Sequence, residues 1–543
     1  MSSFDRRSAL DRLARDHFDV LVIGGGVTGA GVALDAAARG LRTAIVERDD
    51  WASGTSSKSS KLVHGGLRYL QQKEYRLVYE NLAERQRLLV NAPHLVEELP
   101  FLIPLFGRDG VVNATVAKAY STALWLYDLT GGLRIGKRHH RISREEALLH
   151  LPTLRADRLA AAFIYYDART DDARLTLEIV RTAVLDHGAV AVNHLAVTGL
   201  RKKDGRISGA ELADGTTVGA TVIVNAAGVW ADDVRALDEG VHPGSIRPAK
   251  GIHVTFPADR LPCDIAAVIP VPGDHRSIFV VPWEGQTYVG TTDTDYDGPL
   301  DDPECTPEDI AYLLAAVNRA TSSELTPADI TGTWAGLRPL VKAAATERTA
   351  DLSRRHVISV STSGVVSVMG GKLTTYRKMA ADSVDEVVRL LGRGAKRSPT
   401  RKLPIHGAAG LADLRVPGTA ARLSVSPATL DHLVGRYGDE TPRVLALVSE
   451  DARLGAPLVP GLPYLAAEAV FAVRDEMATT LDDILARRTR ARLRARDATA
   501  EAADAVARLV AGELGWDEGE IGRQVASFRS TTEREREAAG SVP

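Results

Sequence analysis

Gly24, Gly26, Gly29 and Glu47 carry the first chemistry that spacing alone suggests in this chain, within residues 18–47, FDVLVIGGGVTGAGVALDAAARGLRTAIVE. Four apolar, strand-forming residues precede the glycines, an Ala-rich helical run follows them, and Gly40 ends that run before a second strand. In a βαβ nucleotide site Gly24 permits the tight turn, Gly26 lets a pyrophosphate approach the backbone, and Gly29 packs helix on strand. The helix N-terminus supplies free N–H groups and a partial positive charge for that pyrophosphate. Glu47, about twenty residues on, is placed to accept hydrogen bonds from a ribose hydroxyl. The unit predicts a bound dinucleotide and suits NAD or FAD equally.

Two further stretches hold reactive side chains. Residues 51–70, WASGTSSKSSKLVHGGLRYL, are rich in hydroxyl and ammonium donors and show no strand or helix period over their first half. A loop that follows the second strand of such a unit runs along the C-terminal edge of the sheet, where ligands bind; elsewhere the same composition would be a solvated surface loop. Gly370-Gly371-Lys372, just before a helical run, is a second candidate anion or carbonyl site at a helix N-terminus. Ala226-Ala227-Gly228, after a buried strand, is a small-residue turn that lets a cofactor approach the backbone.

The elements that must position these residues divide the chain of 543 residues into several domains' worth of core. Residues 1–16 read as an exposed, partly helical lead-in. Residues 17–106, 155–235 and 350–392 together read as a discontinuous nucleotide-binding domain, with Asp171 or Asp172 capping a helix that starts near residue 172. Residues 107–154 and 236–349 read as a substrate (cap) domain built on an antiparallel sheet, with a hairpin turning at 284–286. Residues 393–543 read as a helical C-terminal domain behind a Pro/Gly linker. A helix is expected from Arg68 to about Asn91. Residues 111–130, an apolar helical pattern, precede the basic run Lys137, Arg138, His139, His140, Arg141. That combination suits a core helix and a solvated turn, and it also suits an anionic lipid surface. The fold class is α/β, a Rossmann-like nucleotide domain with an antiparallel cap sheet and a helical C-terminal domain.

Composition narrows the function. Charge is nearly balanced, with 67 basic and 70 acidic residues, so bulk electrostatics does not point to nucleic acid. Two cysteines, Cys263 and Cys305, fit a reducing compartment and exclude a disulfide framework or a cysteine zinc cluster, and no metal site is expected. The N-terminal residues lack an apolar leader, so secretion is not expected. No stretch reaches the ~18 uncharged apolar residues of a membrane span.

Six strings then carry a resemblance: GTSSKSSKLVHGGLRYLQ at 54–71, DDARL at 171–175, VNAAGVWA at 224–231, GTTDT at 290–294, GLRPL at 336–340 and MGGKLTTYRKMA at 369–380. In this order, and with a helical domain behind them, they resemble the FAD-dependent glycerol-3-phosphate dehydrogenases. The resemblance implies a non-covalent FAD held by Gly24, Gly26, Gly29, Glu47, Thr55 and Ser56, by Ser60, Lys61, Leu62, His64 and Gly66, by Ala227 and Gly228, and by Gly371, Lys372, Leu373 and Thr374. It implies oxidation of glycerol 3-phosphate to dihydroxyacetone phosphate, with hydride passing to the flavin and electrons to a membrane quinone. It further implies peripheral association with the cytoplasmic membrane and is compatible with a homodimer.

A phosphorylated polyol needs several cationic or N–H donors converging away from the reacting carbon. Arg68, Lys250, Arg338 and Lys372 sit inside glycine- or apolar-rich strings of the matched motifs, and Tyr69 and Thr375 adjoin them. Arginine grips phosphate bidentately, each charge-assisted bond contributing about 1.5–3 kcal/mol. A base must take the hydroxyl proton; His64 and His253 are the candidates, since histidine titrates near working pH. A guanidinium is too weak an acid to serve as base, so Arg338 binds phosphate or polarises the oxygen. The helix N-terminus near Leu373, with Lys372, stabilises negative charge on the reduced flavin. Ile252 and Arg355 depart from the family pattern beside His253 and at a more distant contact. Competing expectations are an oxygen-using oxidase acting on the same substrate or on an amino acid, and a flavin-binding protein without catalysis.

Overall fold

In the computed structural model, residues 4–71, 74–107, 114–271, 276–342, 356–392, 394 and 396–540 are described. The glycine-rich unit folds as its pattern dictates: strand His17–Ile23, helix Val27–Ala38, strand Thr43–Val46. Those strands lie in an eight-stranded sheet whose main path runs Val357–Val360, Val366–Met369, Thr217–Asn225, His17–Ile23, Thr43–Val46, Val190–Val192. The central pairings are parallel, and Ile23 stands level with both Val46 and Asn225, so three strand ends open onto one edge. Alternation decides the faces: Val20 and Val22 pack under helices Val27–Ala38, Asp172–Leu185 and Tyr376–Leu391. Leu21 and Ile23 pack on the other side, against the hairpin Val197–Lys203/Arg206–Leu212 and the lead-in helix Arg6–Arg15. That lead-in is less exposed than its polarity suggests, because Ala9 and Leu13 are buried there.

The second sheet has ten strands, all antiparallel neighbours except one parallel pair, Ala266–Pro270 beside Val96–Phe106. Its long strands Ile246–Pro257 and Gly332–Val341 pair from Ile246↔Val341 to Thr255↔Gly332. The predicted hairpin is present, strands Ser277–Trp283 and Gln286–Gly290 joined by Glu284 and Gly285 at φ 47° and 86°. Both central residues have positive φ, the two-residue turn whose twist suits a hairpin.

Three boundaries differ from the expectation. Val96–Phe106 and Leu159–Thr170, assigned by sequence to the nucleotide segments, pair with each other and belong to the second sheet. They are buried on both faces, so they read like strands of a parallel sheet. The helix expected from Arg68 to Asn91 is one turn, Arg68–Gln71, and a separate helix, Tyr75–Asn91. Glu74, at φ −82° and ψ 52°, is outside the helical region and separates them. The run from 357 to 391 is a two-stranded hairpin, Val357–Val360/Val366–Met369, before its helix rather than one strand and a turn. Residues 398–540 form helices around their own apolar cores, docked on both sheets' domains through the arginines of residues 487–496.

Candidate functional site

A cavity of about 480 Å³ opens along the strand ends of the parallel sheet. Gly24, Gly26, Glu47, Thr55, Ser56, Ala227, Gly228, Gly371, Lys372 and Leu373 all line it. Gly24 sits at φ 110°, and a Cβ there would come 2.7 Å from the Ala226 carbonyl oxygen. Gly29 does not reach the cavity; a Cβ on it would lie 1.9 Å from the Gly24 oxygen, so only glycine lets helix and strand touch. Glu47 accepts the Gly25 N–H at 2.5 Å and the Asp49 N–H at 2.8 Å. Burial pushes its carboxyl above the usual range, against the pull of those two donors. Ser56 Oγ takes the N–H of Val27, the first helical residue, at 2.9 Å, and Thr55 Oγ1 donates to Leu337 O at 2.5 Å. The cradle of small residues, the helix N-terminus and the buried acid fit an FAD, for which Glu47 would hold the adenosine end, Gly24–Gly26 the pyrophosphate and Gly371–Leu373 the ring end.

The ring end adjoins the second sheet, since Pro339 also lines the cavity. On that sheet His253 and Arg338 share one face. A Cβ on Gly251 would strike the Arg338 guanidinium, and a Cβ on Gly290 would strike the His253 ring. His253 stands in register with Gly290, and Gly290 with Phe279, whose ring centroid lies 6.3 Å from that of His64. His64 itself follows the short strand Leu62–Val63, and its ring meets Phe279 on a strand one removed from that of His253. His253 is buried, stacked on Trp334 at 4.7 Å, with Nε2 2.8 Å from Ser60 Oγ and Nδ1 without a hydrogen-bond partner. Burial, then the charges of Lys61 and Arg338, hold it well below the ordinary histidine pKa. Arg338 is oriented by Asp293 at 3.0 Å and by Thr291 Oγ1 and Thr292 O, both at 3.1 Å.

From the flavin side come His64, Gly66, Tyr69, Lys372 and Thr374. Thr374 Oγ1 accepts the His64 N–H at 3.2 Å, the Lys372 ammonium lies 3.8 Å from the Tyr69 ring centroid, and Tyr69 closes over Gly66 at φ 78°. Thr375 is buried, its hydroxyl donating to Lys372 O at 3.4 Å. Leu62 is in a two-residue strand leading to His64. Arg68 begins the turn Arg68–Gln71; its side chain, like Arg355, lies outside the described residues.

Two expected contacts are not brought together. Lys250 pairs with Asp309 at 2.6 Å among residues on the far face of the second sheet. With period 2, His253 facing the flavin puts Lys250 on the opposite side. Ile252 also points into that far core and donates its N–H to Thr292 Oγ1, so it leaves the His253 ring undisturbed. Lys61, at φ 54°, turns inward, its ammonium 3.2 Å from Asp172 and 4.4 Å from the Trp334 ring centroid.

Sequence reasoning missed the groups that hold these loops. Gly65 N–H donates to Tyr127 Oη at 3.0 Å and to Asp167 at 3.1 Å, and Asn81 donates to Gly65 O at 2.9 Å. Arg85 donates to the same Asp167 at 2.7 Å. The signal was Asn81 and Arg85 standing four apart among the apolar positions of one helix. Asp171 caps helix Asp172–Leu185, whereas Asp172 accepts both the N–H and the hydroxyl of Ser59, at 3.0 and 2.7 Å. Arg490 of the C-terminal domain reaches that carboxylate at 2.9 Å and Ser57 O at 2.6 Å. Among the described residues one trio, Asp50, His194 and Asp483, has metal-ligand spacing. Its carboxylates are already engaged by Arg487 and Arg488, which leaves no uncompensated charge for a cation.

A family model described as FAD dependent oxidoreductase matches residues 19–377, and one described as the C-terminal domain of alpha-glycerophosphate oxidase matches residues 398–521. Glycerol-3-phosphate dehydrogenase 2 of Mycobacterium tuberculosis is 41% identical over 539 residues, spanning 98% of this chain and 90% of that protein. The mitochondrial glycerol-3-phosphate dehydrogenase of Mus musculus is 37% identical over 92% of this chain and 71% of its own length. The crystal structure of the glycerol-3-phosphate dehydrogenase from Bacillus halodurans complexed with FAD superimposes with a TM-score of 0.79 at 32% identity, over 98% of both chains. The chain belongs to the FAD-dependent glycerol-3-phosphate dehydrogenases.

Proposed function

We propose that this enzyme oxidises the secondary alcohol of sn-glycerol 3-phosphate to dihydroxyacetone phosphate and passes the electrons to a membrane quinone. The observation that carries the reading is that His253 and Arg338 share one sheet face, with Arg338 adjoining Pro339 of the cavity wall. FAD held there would supply the acceptor for the hydride of the carbinol carbon. His253 is the base: the tautomer that donates Nε2–H to Ser60 Oγ leaves the Nδ1 lone pair to take the hydroxyl proton. Its depressed pKa keeps the ring neutral, and so able to accept, at neutral pH. Arg338, with its fork oriented by Asp293 and the threonines, grips the phosphate. Lys372 and the N–H groups of the turn Leu373–Thr375 offset negative charge at the ring end.

A membrane surface suits the acceptor. Among the described residues no helix is long and apolar enough to cross a membrane. Helix Ala114–Leu129 instead exposes Trp125 and Leu129, beside exposed Tyr79. The guanidinium carbons of Arg134 and Arg138 lie 4.7 and 5.1 Å from the Tyr79 and Trp125 ring centroids. Aromatic rings flanked by arginines match the interface of an anionic bilayer, here on the cytoplasmic face. An oxidase is the second reading, favoured by the description of the matched C-terminal model. Anaerobic reduction of the flavin by glycerol 3-phosphate, followed by reoxidation with a soluble quinone or with oxygen, decides. Fast quinone turnover with little peroxide is expected; stoichiometric peroxide at oxidase rates makes the oxidase reading the right one, and a flavin that stays oxidised overturns both.

A further inference from the structure

The face of the second sheet that carries His253 and Arg338 presents its side chains in a fixed order. Arg338 stands on strand Gly332–Val341, His253 on Ile246–Pro257, Gly290 on Gln286–Gly290 and Phe279 on Ser277–Trp283, and the four strands are neighbours in that sequence. Trp334, His253, Gly290 and Phe279 stand level in successive antiparallel pairs, and residues directly opposite in such pairs point to one face. Packing agrees with the register. Phe279 lies against the cluster that holds Phe101, Val281, Tyr288 and Trp334, whereas its chain neighbours Ile278 and Val280 fill the core of the far face.

Arg338 and His253 each lean one strand across. The Arg338 guanidinium takes the space that a Cβ on Gly251 would occupy, so it lies over the strand of His253. The His253 ring takes the space that a Cβ on Gly290 would occupy, so it lies over the next strand, and Phe279 rises from the one beyond. Guanidinium, imidazole and phenyl ring therefore succeed one another across the sheet in steps of one strand spacing, about 4.8 Å. From the facing loop the His64 ring meets Phe279 edge-on, 6.3 Å between centroids at 71°. Behind it Phe279 is braced by Phe101 at 6.2 Å and 83°, and the buried Phe101 is stacked on Tyr165 at 5.2 Å. Phe279 itself is only half-buried, so part of it stays uncovered beside His64.

We propose that Phe279 sets the length of the substrate. With the phosphate at Arg338 and the carbinol at His253, the phenyl ring closes the site one carbon past the carbinol, admitting a hydroxymethyl group and no longer chain. This role rests on glycerol 3-phosphate being the substrate and on the pose given above. A ring backed by stacked rings yields little to an oversized ligand, because packed aromatic groups have no free volume to move into. One methylene in excess or deficit changes kcat/KM about 10–200-fold at such a wall.

Flavin-loaded wild type, Phe279→Ala and Phe279→Leu are mixed anaerobically with glycerol 3-phosphate and with the erythritol and threitol 4-phosphates, which carry one carbon more beyond the carbinol, in all configurations. Stopped-flow absorbance follows flavin reduction. Binding of the corresponding ketones, dihydroxyacetone phosphate and erythrulose 4-phosphate, is read separately from the perturbed flavin spectrum. The wild type is expected to favour the three-carbon compound at least tenfold in both measurements. Phe279→Ala is expected to shrink that preference at least tenfold by gaining on the four-carbon compounds, with Phe279→Leu in between. A wild type without the preference, or a ratio that neither variant moves, overturns the proposal. A wild-type flavin that glycerol 3-phosphate leaves oxidised overturns the substrate reading and this role with it, whereas normal reduction with an unmoved ratio overturns the length role alone. A merely structural part for Phe279 would weaken both substrates alike and leave the ratio fixed. Flavin content and the unfolding temperature show that each variant is folded, and Phe279→Leu, which keeps most of the packed volume, decides the matter if Phe279→Ala does not fold.

Discussion

His253 can act as a base at neutral pH because its site refuses the protonated form. Burial and the neighbouring charges of Lys61 and Arg338 keep its pKa well below the ordinary value, so the ring is neutral at and below pH 6.5. The acid limb of kcat/KM is therefore expected below pH 6.5 in the wild type, and an inflection at the free-histidine value would rule against His253 as the base. Ser60→Ala should lower kcat roughly tenfold to a hundredfold while leaving KM near wild type, since losing one hydrogen bond to the ring unsets its tautomer. Arg338→Ala should raise KM strongly, by a factor of roughly ten to a hundred for each charge-assisted bond lost, with flavin content unchanged. Stopped-flow flavin reduction measures both variants, and loss of flavin from Arg338→Ala would remove that residue from the substrate site. These two residues were legible because both stand in strings whose glycines make room for them, Gly251 under Arg338 and Gly290 under His253. Lys250, in the same string as His253, was misplaced because residue type says nothing about which face of a strand it takes; only the pairing with Trp334 and Gly290 fixes that. Lys61 reads as a surface donor until its backbone turns to positive φ and carries the ammonium inward.

The serine-rich loop has no periodic structure to hold it, so its shape comes from outside. Asp172 gathers Ser59 and Lys61, Tyr288 donates its hydroxyl to Ser60 O at 2.6 Å, and Trp334 donates its indole N–H to Ser59 O at 3.1 Å. Arg490 closes the set from the C-terminal domain by binding both Asp172 and Ser57 O. Arg490 touches no reacting atom on this geometry; it positions the loop that carries Ser60. Its removal leaves Asp172 and Lys61 buried with one charge too few, a defect of about 3–5 kcal/mol for a broken buried pair. Arg490→Ala should therefore release flavin more readily and lower the unfolding temperature, whereas Arg490→Lys, which keeps the charge but not the fork, should recover stability better than flavin retention. Unchanged flavin affinity in Arg490→Ala would show that the loop is self-supporting. The helical character of this region was legible from its period, but nothing local to residues 487–496 signals what their arginines pair with. Four of these arginines, Arg488, Arg490, Arg494 and Arg496, are buried, and Asp50, Asp172 and Glu284 reach the cluster from the catalytic body, hundreds of residues away, where no local pattern reveals them.

At the scale of the whole molecule, the helical domain and the catalytic body are joined by ion pairs that water cannot reach, which makes separate stability of either part costly. Arg174 and Arg181, on a helix of the nucleotide domain, pair with Glu476 and Glu440 of the helical domain. The segment that leads between the two is pinned as well: Ile405 N–H bonds Asn91 O at 2.8 Å and His406 N–H bonds Thr182 Oγ1 at 2.9 Å. The His406 ring then lies 3.3 Å from Asp186 of the catalytic body and 3.5 Å from Glu440 of the helical domain. Burial opposes its charge, but hydrogen bonds to the two carboxylates win and raise its pKa to about 10. A histidine whose folded pKa lies above its unfolded one stabilises the fold fully below about pH 6.5 and progressively loses that contribution as pH rises toward the folded value. With the ring partly open to solvent, the contribution is on the order of 1–3 kcal/mol. His406→Gln should accordingly lower the unfolding temperature at pH 6 by several degrees, and the difference from wild type should shrink steadily to near zero by about pH 10. The unfolding should remain a single transition in both proteins, because the buried pairs Arg174–Glu476 and Arg181–Glu440 still join the two domains. A pH-independent difference would mean that the imidazole serves only to fill space, and a second transition in wild type would mean that the buried arginine contacts do not couple the domains.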